Sequence, residues 1–212
     1  VLNQVREQHG LPPVRHALDQ VRSADAVVVL TSRAFDFPDC PAPDNVSWSG
    51  PILDDPGWAR PPFEVPWTDD DDRPLVVVAM SSTFQDQVDT LRRVVAALTE
   101  LPVKAVLSLG PALRPDEVPG SANVWVAPSI PHSHLIPQAA LIITHCGHGT
   151  AIKGLAAAIP MVCIPMGRDQ GDNAARIVSS GAGVKVKRTA STSRIKAAAE
   201  QLLTDPSYRQ AA

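Results

Sequence analysis

The pattern of hydrophobic positions along this chain changes near Pro74. Beyond it, apolar runs recur at Leu75–Met80, Val103–Leu107, Val124–Ala127, Leu141–Ile143, Met161–Ile164 and Val184–Val186. They are short, rich in β-branched residues and unbroken instead of alternating, which suits strands covered on both faces. Between several of them the period becomes helical. Val88, Leu91, Val95 and Leu98 share one face, Ile152, Leu155, Ala156 and Ile159 a second, and Ile195, Ala198, Ala199 and Leu202 a third. Strands alternating with helices imply βαβ crossovers, so the predicted class is α/β with a doubly wound parallel sheet.

Before Pro74 the reading is helix, helix, strand: polar helical stretches near Leu2–His9 and Arg15–Arg22, then the β run Ala26–Leu30. Such a unit cannot enclose a core alone. Nine of the 21 prolines then fall between Pro38 and Pro74, with three of the four tryptophans and the acidic run Asp69–Asp72. That density of missing donors and fixed φ angles predicts an irregular crossing segment or linker. The D-x-D spacing within Asp69–Asp72 reads as a solvated charge run.

Composition narrows the function classes. Apolar residues make up 44% and net charge is −3, and no Lys/Arg block occurs, so nothing favours nucleic acid. Apolar stretches reach only six or seven residues, against the ~20 that span a bilayer. The opening Val1-Leu2-Asn3-Gln4-Val5-Arg6 has neither the basic flank nor the apolar core of a signal peptide. A cytoplasmic protein is expected, and the absence of a starting Met hints at a piece of a longer one. Cys40, Cys146 and Cys163 form no C-x-x-C pair and no zinc spacing, which leaves reduced thiols and no metal site.

In a doubly wound sheet, ligands bind beyond the carboxyl ends of the strands. Seven of the twelve glycines lie between Gly147 and Gly183. The fourth run passes through Thr144-His145-Cys146-Gly147-His148-Gly149-Thr150 directly into a helix. Glycines there let backbone approach a ligand, and helix N–H groups favour an anion. A tight turn with a structurally satisfied histidine fits the same residues. Gly147, Gly149 and Gly154 miss the dinucleotide fingerprint, because the third glycine comes two residues late, and no Gly-Lys-Ser/Thr closes a P-loop. The fifth run leads to Asp169-Gln170, whose carboxylate and amide suit a polyhydroxylated ligand, before a helix expected over Ala174–Ser180. Capping by Asp172 and Asn173 is the plainer reading of the next residues. After the first run, Ser81-Ser82-Thr83 is a phosphate contact or an ordinary ST-turn. His132 and His134 either flank the cleft or face solvent. No G-x-S-x-G or H-E-x-x-H occurs.

The same residues carry a family resemblance. His145-Cys146-Gly147-His148-Gly149-Thr150, Pro160-Met161, Pro165, Asp169-Gln170, Asn173 and Gly181-Ala182-Gly183 resemble the donor signature of GT-B nucleotide-sugar glycosyltransferases. The branch is that of plant UDP-sugar transferases and actinobacterial antibiotic and macrolide transferases. His145 and Asp169 stand 24 positions apart, as in that signature. Pro131 and Leu135-Ile136-Pro137 resemble its base-binding loop, and Asn45-Val46 through Gly50-Pro51 the strand and Gly-Pro that end its N-terminal domain.

The resemblance implies a Rossmann-like C-terminal domain of a GT-B fold over residues 73–212, which binds the nucleotide sugar. Residues 1–72 would be the end of the N-terminal acceptor domain plus the Pro-rich linker. Ser82, His145 and Gly147, His148, Gly149 and Thr150 would hold the diphosphate; Asp169 and Gln170 would bind donor-sugar hydroxyls, with Asn173 a further donor-binding residue, and Ser129 and Ile130 would contact the base. The implied activity is inverting, metal-independent transfer of a sugar from a UDP- or dTDP-linked donor to a small-molecule or lipid hydroxyl. No separate cofactor is implied. The general base, a His in the family, would lie in the missing N-terminal part. Two departures stand out: Ser129 occupies the place of a stacking Trp, and Lys153 that of a Glu for the ribose. A sugar-nucleotide epimerase, or a non-catalytic nucleotide-sugar-binding subunit of a split transferase, are the competing readings.

Overall fold

The structure, a computed structural model, describes residues 1–16, 19–39, 41–55, 64, 66–68 and 70–212. Cys40, Trp58, Asp69, and Ala17 and Leu18 of the second expected helix lie outside the described residues. Two compact units form, Val1–Ile52 and Leu53–Ala212.

The first contains α1 (Leu2–Gln8), α2 (Asp19–Arg22), β1 (Val27–Val29) and β2 (Val46–Trp48). β1 and β2 pair in parallel, with Val27 opposite Val46. The Asn45 amide donates to the Val21 and Ala24 carbonyls, both at 2.9 Å, and so fixes the approach to β2. This strand corrects the expectation that no regular element survives within Pro38–Pro74. No proline stands between Pro43 and Pro51, so the local backbone keeps its N–H donors. As expected of an incomplete unit, Thr31 is its only buried residue among those described.

The second unit carries β3 (Leu75–Ala79), α3 (Val88–Thr99), β4 (Lys104–Ser108), β5 (Val124–Ala127), α4 (His132–Leu135), β6 (Leu141–Thr144), α5 (His148–Ala156), β7 (Met161–Cys163), α6 (Gln170–Ser179), β8 (Gly183–Lys185), α7 (Thr192–Thr204) and α8 (Ser207–Ala211). The strands form one parallel sheet in the order β5-β4-β3-β6-β7-β8. The doubly wound class expected from the apolar runs is the one observed.

Alternate residues of each strand supply the two faces. Val76, Val78, Ala105, Leu107, Leu141, Ile143, Val162 and Ile164 pack with Leu91, Val94 and Leu98 of α3 and Ile195, Ala198, Ala199 and Leu202 of α7. Each Leu, Ile or Val so buried contributes about 1.5–3 kcal/mol. On the other face α5 lies close enough to the sheet that a Cβ on Gly154 would fall 2.8 Å from Ile142 Cδ1 and 3.1 Å from the Met161 sulfur. The third glycine of the imperfect fingerprint therefore serves helix–sheet packing. The expected apolar face of α5 needs correction. Ala151, Ile152 and Gly154 are its buried residues, Leu155 and Ala156 are not, and Ile159 is buried beyond the helix end. Small residues, not long aliphatics, face the sheet because the helix sits so near it. No helix among the described residues is long and apolar enough to cross a membrane.

Candidate functional site

The strand order places the switch in chain direction between β3 and β6: from β3 the chain proceeds outward to β4 and β5, and from β6 outward to β7 and β8. The crevice at such a point is where ligands of this architecture bind. His145 spans it. It follows β6, is 9% exposed, and its Nδ1 lies 3.4 Å from the Ala79 carbonyl oxygen at the end of β3. A carbonyl only accepts, so Nδ1 carries the hydrogen and Nε2 of the neutral ring the lone pair. Burial, and to a lesser degree Arg168, push the His145 pKa below its usual value against opposing effects of Ala79 and Asp169.

Nε2 lies against Gly147. A Cβ there would approach it to 2.6 Å, so only glycine fits between the ring and the start of α5. Gly147 is the N-cap of α5, and no side chain caps the helix. Its first-turn N–H dipoles therefore point at the crevice. His148 and Thr150 are half-buried in that turn, and Gly149 is exposed with open space where a Cβ would stand. Cys146 is held at φ +65, with its N–H donating to Thr144 Oγ1 at 3.1 Å. Asp86 (φ +56) and Arg168 (φ +56) are likewise left-handed. Three of the four non-glycine residues with positive φ among those described thus lie in the loops after β3, β6 and β7, at about 1–3 kcal/mol each, and the fourth, Ala158 (φ +55), follows α5. The neighbouring Cys163 thiol and burial raise the buried Cys146 thiol well above its ordinary range, and the two thiols donate to the Thr144 and Met161 carbonyls.

Beside the crevice, at the carboxyl ends of β3, β4 and β5, lies a cavity of about 400 Å³. Ser82, Ser129 and Ile130 all line it, together with apolar Met80, Pro111 and Leu113. Gly110 (φ +70) narrows its floor, where a Cβ would stand 3.3 Å from the Ser82 Cα. His132 lines the cavity too, while His134 is exposed. Burial first, and then Lys153, lower the His132 pKa to about 4. Lys153 closes the wall in an ion pair with Asp55, and the two side chains are only 12% and 3% exposed. Asp55 also accepts from the Ser133 backbone N–H (2.9 Å) and hydroxyl (2.6 Å). Burial alone would raise its carboxyl pKa, but the bonds from Lys153 and Ser133 outweigh it and the pKa falls.

The Asp169 segment differs from its sequence reading. α6 begins at Gln170, not Ala174, and neither Asp172 nor Asn173 caps it. Asn173, 6% exposed, gives its side-chain amide hydrogens to the Cys146 carbonyl (3.0 Å) and to Asp169 Oδ2 (2.9 Å). It joins the loops after β6 and β7 from beneath. Asp169 is exposed, but Gln170 is 2% exposed, and its Oε1 accepts from the Met166 and Gly167 N–H groups at 2.7 and 3.1 Å. The two neighbours therefore do not present themselves to solvent as a pair.

Sequence reasoning missed Asp55, Gln85 and Gln87. Asp55 sits in the Pro-rich segment with no motif around it, and nothing local marks its partner nearly a hundred positions away. Of the acidic run, Asp70 and Asp72 are exposed, while Asp71 pairs with Arg73 Nη2 at 2.8 Å. Among the described residues no group of three or more His, Cys, Asp or Glu side chains is arranged to hold a metal ion.

A family model described as UDP-glucoronosyl and UDP-glucosyl transferase matches residues 14–212. The 4'-demethylrebeccamycin synthase of Lentzea aerocolonigenes is 31% identical over 97% of this chain and 49% of its own length. The PGL/p-HBAD biosynthesis glycosyltransferase of Mycobacterium tuberculosis is 28% identical over 100% of this chain and 48% of its own. Among solved structures, the glycotransferase of kitacinnamycin superposes with a TM-score of 0.77 at 26% identity, covering 99% of this chain and 54% of that one. The chain spans about half the length of the curated relatives it matches.

Proposed function

Since the chain belongs to the UDP-glucoronosyl and UDP-glucosyl transferase family, we propose that it is the donor-binding portion of an inverting, metal-independent glycosyltransferase. The observation that carries this reading is the switch-point crevice, where His145 bridges β6 to β3 beside an uncapped helix start. The diphosphate of the donor lies against Gly147, His148, Gly149 and Thr150 and reaches Ser82. The base enters the cavity of about 400 Å³ past Ser129 and Ile130, a volume within the range of small-molecule sites. Exposed Asp169 accepts bonds from donor-sugar hydroxyls, and Asn173 holds it in place.

In the reaction, a base removes the proton of an acceptor hydroxyl, whose oxygen attacks the anomeric carbon. The bond from that carbon to the diphosphate oxygen breaks, and the nucleoside diphosphate leaves with the electron pair. Negative charge grows on the leaving group, where the α5 dipole and a proton on His145 Nε2 stabilise it. The acceptor, a small molecule or lipid, and its general base belong to residues outside this chain. We place the enzyme in the cytoplasm, where nucleotide sugars are the donors.

Calorimetric titration of the chain with UDP, dTDP, UDP-glucose and dTDP-glucose tests the reading. Saturable binding of one nucleotide series, weakened at least tenfold in His145→Ala, is the expected result. Binding indifferent to His145 would overturn the site.

A further inference from the structure

The loop after β3 and the loop before α6 are joined by side chains alone. Gln170 Nε2 donates to Gln85 Oε1 at 3.0 Å, and Gln85 Nε2 donates to Ser81 Oγ at 3.0 Å. At one end of this chain of bonds, Gln170 Oε1 fastens the Met166 and Gly167 N–H groups. At the other, Ser81 Oγ accepts from the Thr83 N–H at 3.2 Å and meets Thr83 Oγ1 at 3.0 Å. Ser81, Gln87 and Gln170 are 4%, 0% and 2% exposed, so these polar groups are desolvated and held to this one arrangement. Gln87 Oε1 in turn accepts from the Gln85 N–H at 2.6 Å, which sets the backbone from which Gln85 reaches across.

We propose that Gln85 is a positioning residue for the donor sugar. Through Gln170 it ties the Met166–Asp169 loop to Ser81, whose own turn is held by Thr83 without it, so the sugar-facing carboxylate keeps one spacing from the diphosphate-facing loop. This rests on the reading that Asp169 meets the donor sugar. Gln85 itself touches no substrate. The arrangement also explains why Gln170 is turned inward: its carbonyl oxygen organises the loop, and Asp169 next to it faces the ligand. Losing Gln85 leaves Gln170 Nε2 without its partner and frees the sugar loop from the diphosphate loop. The diphosphate site built on His145 and α5 is untouched.

The test compares nucleoside diphosphate with nucleotide sugar on the same chain. Titrating wild type, Gln85→Ala and Gln85→Glu with UDP, UDP-glucose, dTDP and dTDP-glucose reads the two sites separately. In Gln85→Ala the diphosphate affinity should stay within about twofold, while the nucleotide sugar binds at least about tenfold more weakly, a loss of about 1.4 kcal/mol. Gln85→Glu should recover most of it, because a carboxylate accepts from Gln170 Nε2 and from the Ser81 hydroxyl. Equal weakening of both ligands, or of neither, overturns the proposal. A wild-type chain that binds no nucleotide overturns the functional reading beneath it instead. Hydrogen exchange of the Met166 and Gly167 amides tests the latch without ligand. Faster exchange there in Gln85→Ala, with β6 and β7 unchanged, supports it, and unchanged exchange refutes it.

Discussion

The two ends of the large sheet teach opposite lessons about cavities. At the amino ends of β4 and β5 lies the more spacious one, about 560 Å³, walled by Trp67, Arg73, Lys104 and Trp125. Its charges are already engaged: Arg73 with Asp71, and Lys104 with the Asp71 carbonyl and over the Trp67 ring at 5.3 Å. At the carboxyl ends the cavity is smaller, about 400 Å³, yet it adjoins an uncapped helix start and a buried histidine. Parallel strands make this asymmetry, because every crossover helix begins at the carboxyl edge and aims its N–H dipole there. A helix start without a capping side chain, not volume, sets the proposed site apart.

Experiments can break or sharpen this contrast, beginning with the largest effect. Asp55→Ala should cost about 3–5 kcal/mol in urea unfolding, because it strands a buried Lys153. Asp71→Ala, whose partner Arg73 has a 42% exposed side chain, should change stability far less. If both variants unfold alike, the two ends do not differ in this respect. The Asp55 contribution is present above the unfolded carboxyl pKa and is lost as pH falls through the lower folded value.

His132 comes next. Its pKa is depressed to about 4, so the unfolded chain binds the extra proton between pH 6.5 and 4. Stability is full above about pH 6.5 and declines by roughly 3 kcal/mol as pH falls toward 4. His132→Gln should flatten that part of the profile, and an unaltered slope would show that His132 is not its source.

Gly147→Ala should weaken nucleoside diphosphate binding about tenfold, or about 1.4 kcal/mol, because its Cβ collides with the His145 ring. Trp125→Ala and Arg73→Ala, at the opposite end, should leave calorimetric affinity unchanged. A loss at Trp125 equal to that at Gly147 would move the site to the larger cavity.

The smallest effect concerns protons. Nε2 of neutral His145 has no hydrogen for a phosphate oxygen, so diphosphate binding takes one up. Affinity should rise as pH falls from 7.5 to about 6, and His145→Gln should abolish the part of that rise due to the ring. Proton uptake measured in buffers of different ionisation enthalpy checks it.

Much of the sheet was legible in the chain because a strand buried on both faces needs an unbroken apolar run, and Leu75–Ala79 and Leu141–Thr144 could hardly pack otherwise. The turn from His145 to Thr150 was legible because glycines directly after an apolar run mark a tight entry into a helix. The inward turn of Gln170 was not. Its amide is polar, and only the backbone N–H groups curling beneath it made burial favourable.

Local patterning therefore determined which segments became strands and helices and which loops followed them, since those choices depend on neighbours within a few positions. Tertiary structure alone decided that Asp55 would pair with Lys153, that Gln85 would reach Gln170, and that His145 would rest on Ala79. Those partners are 98, 85 and 66 positions apart, and a hydrogen bond responds to ångströms in space, which no spacing along the chain encodes.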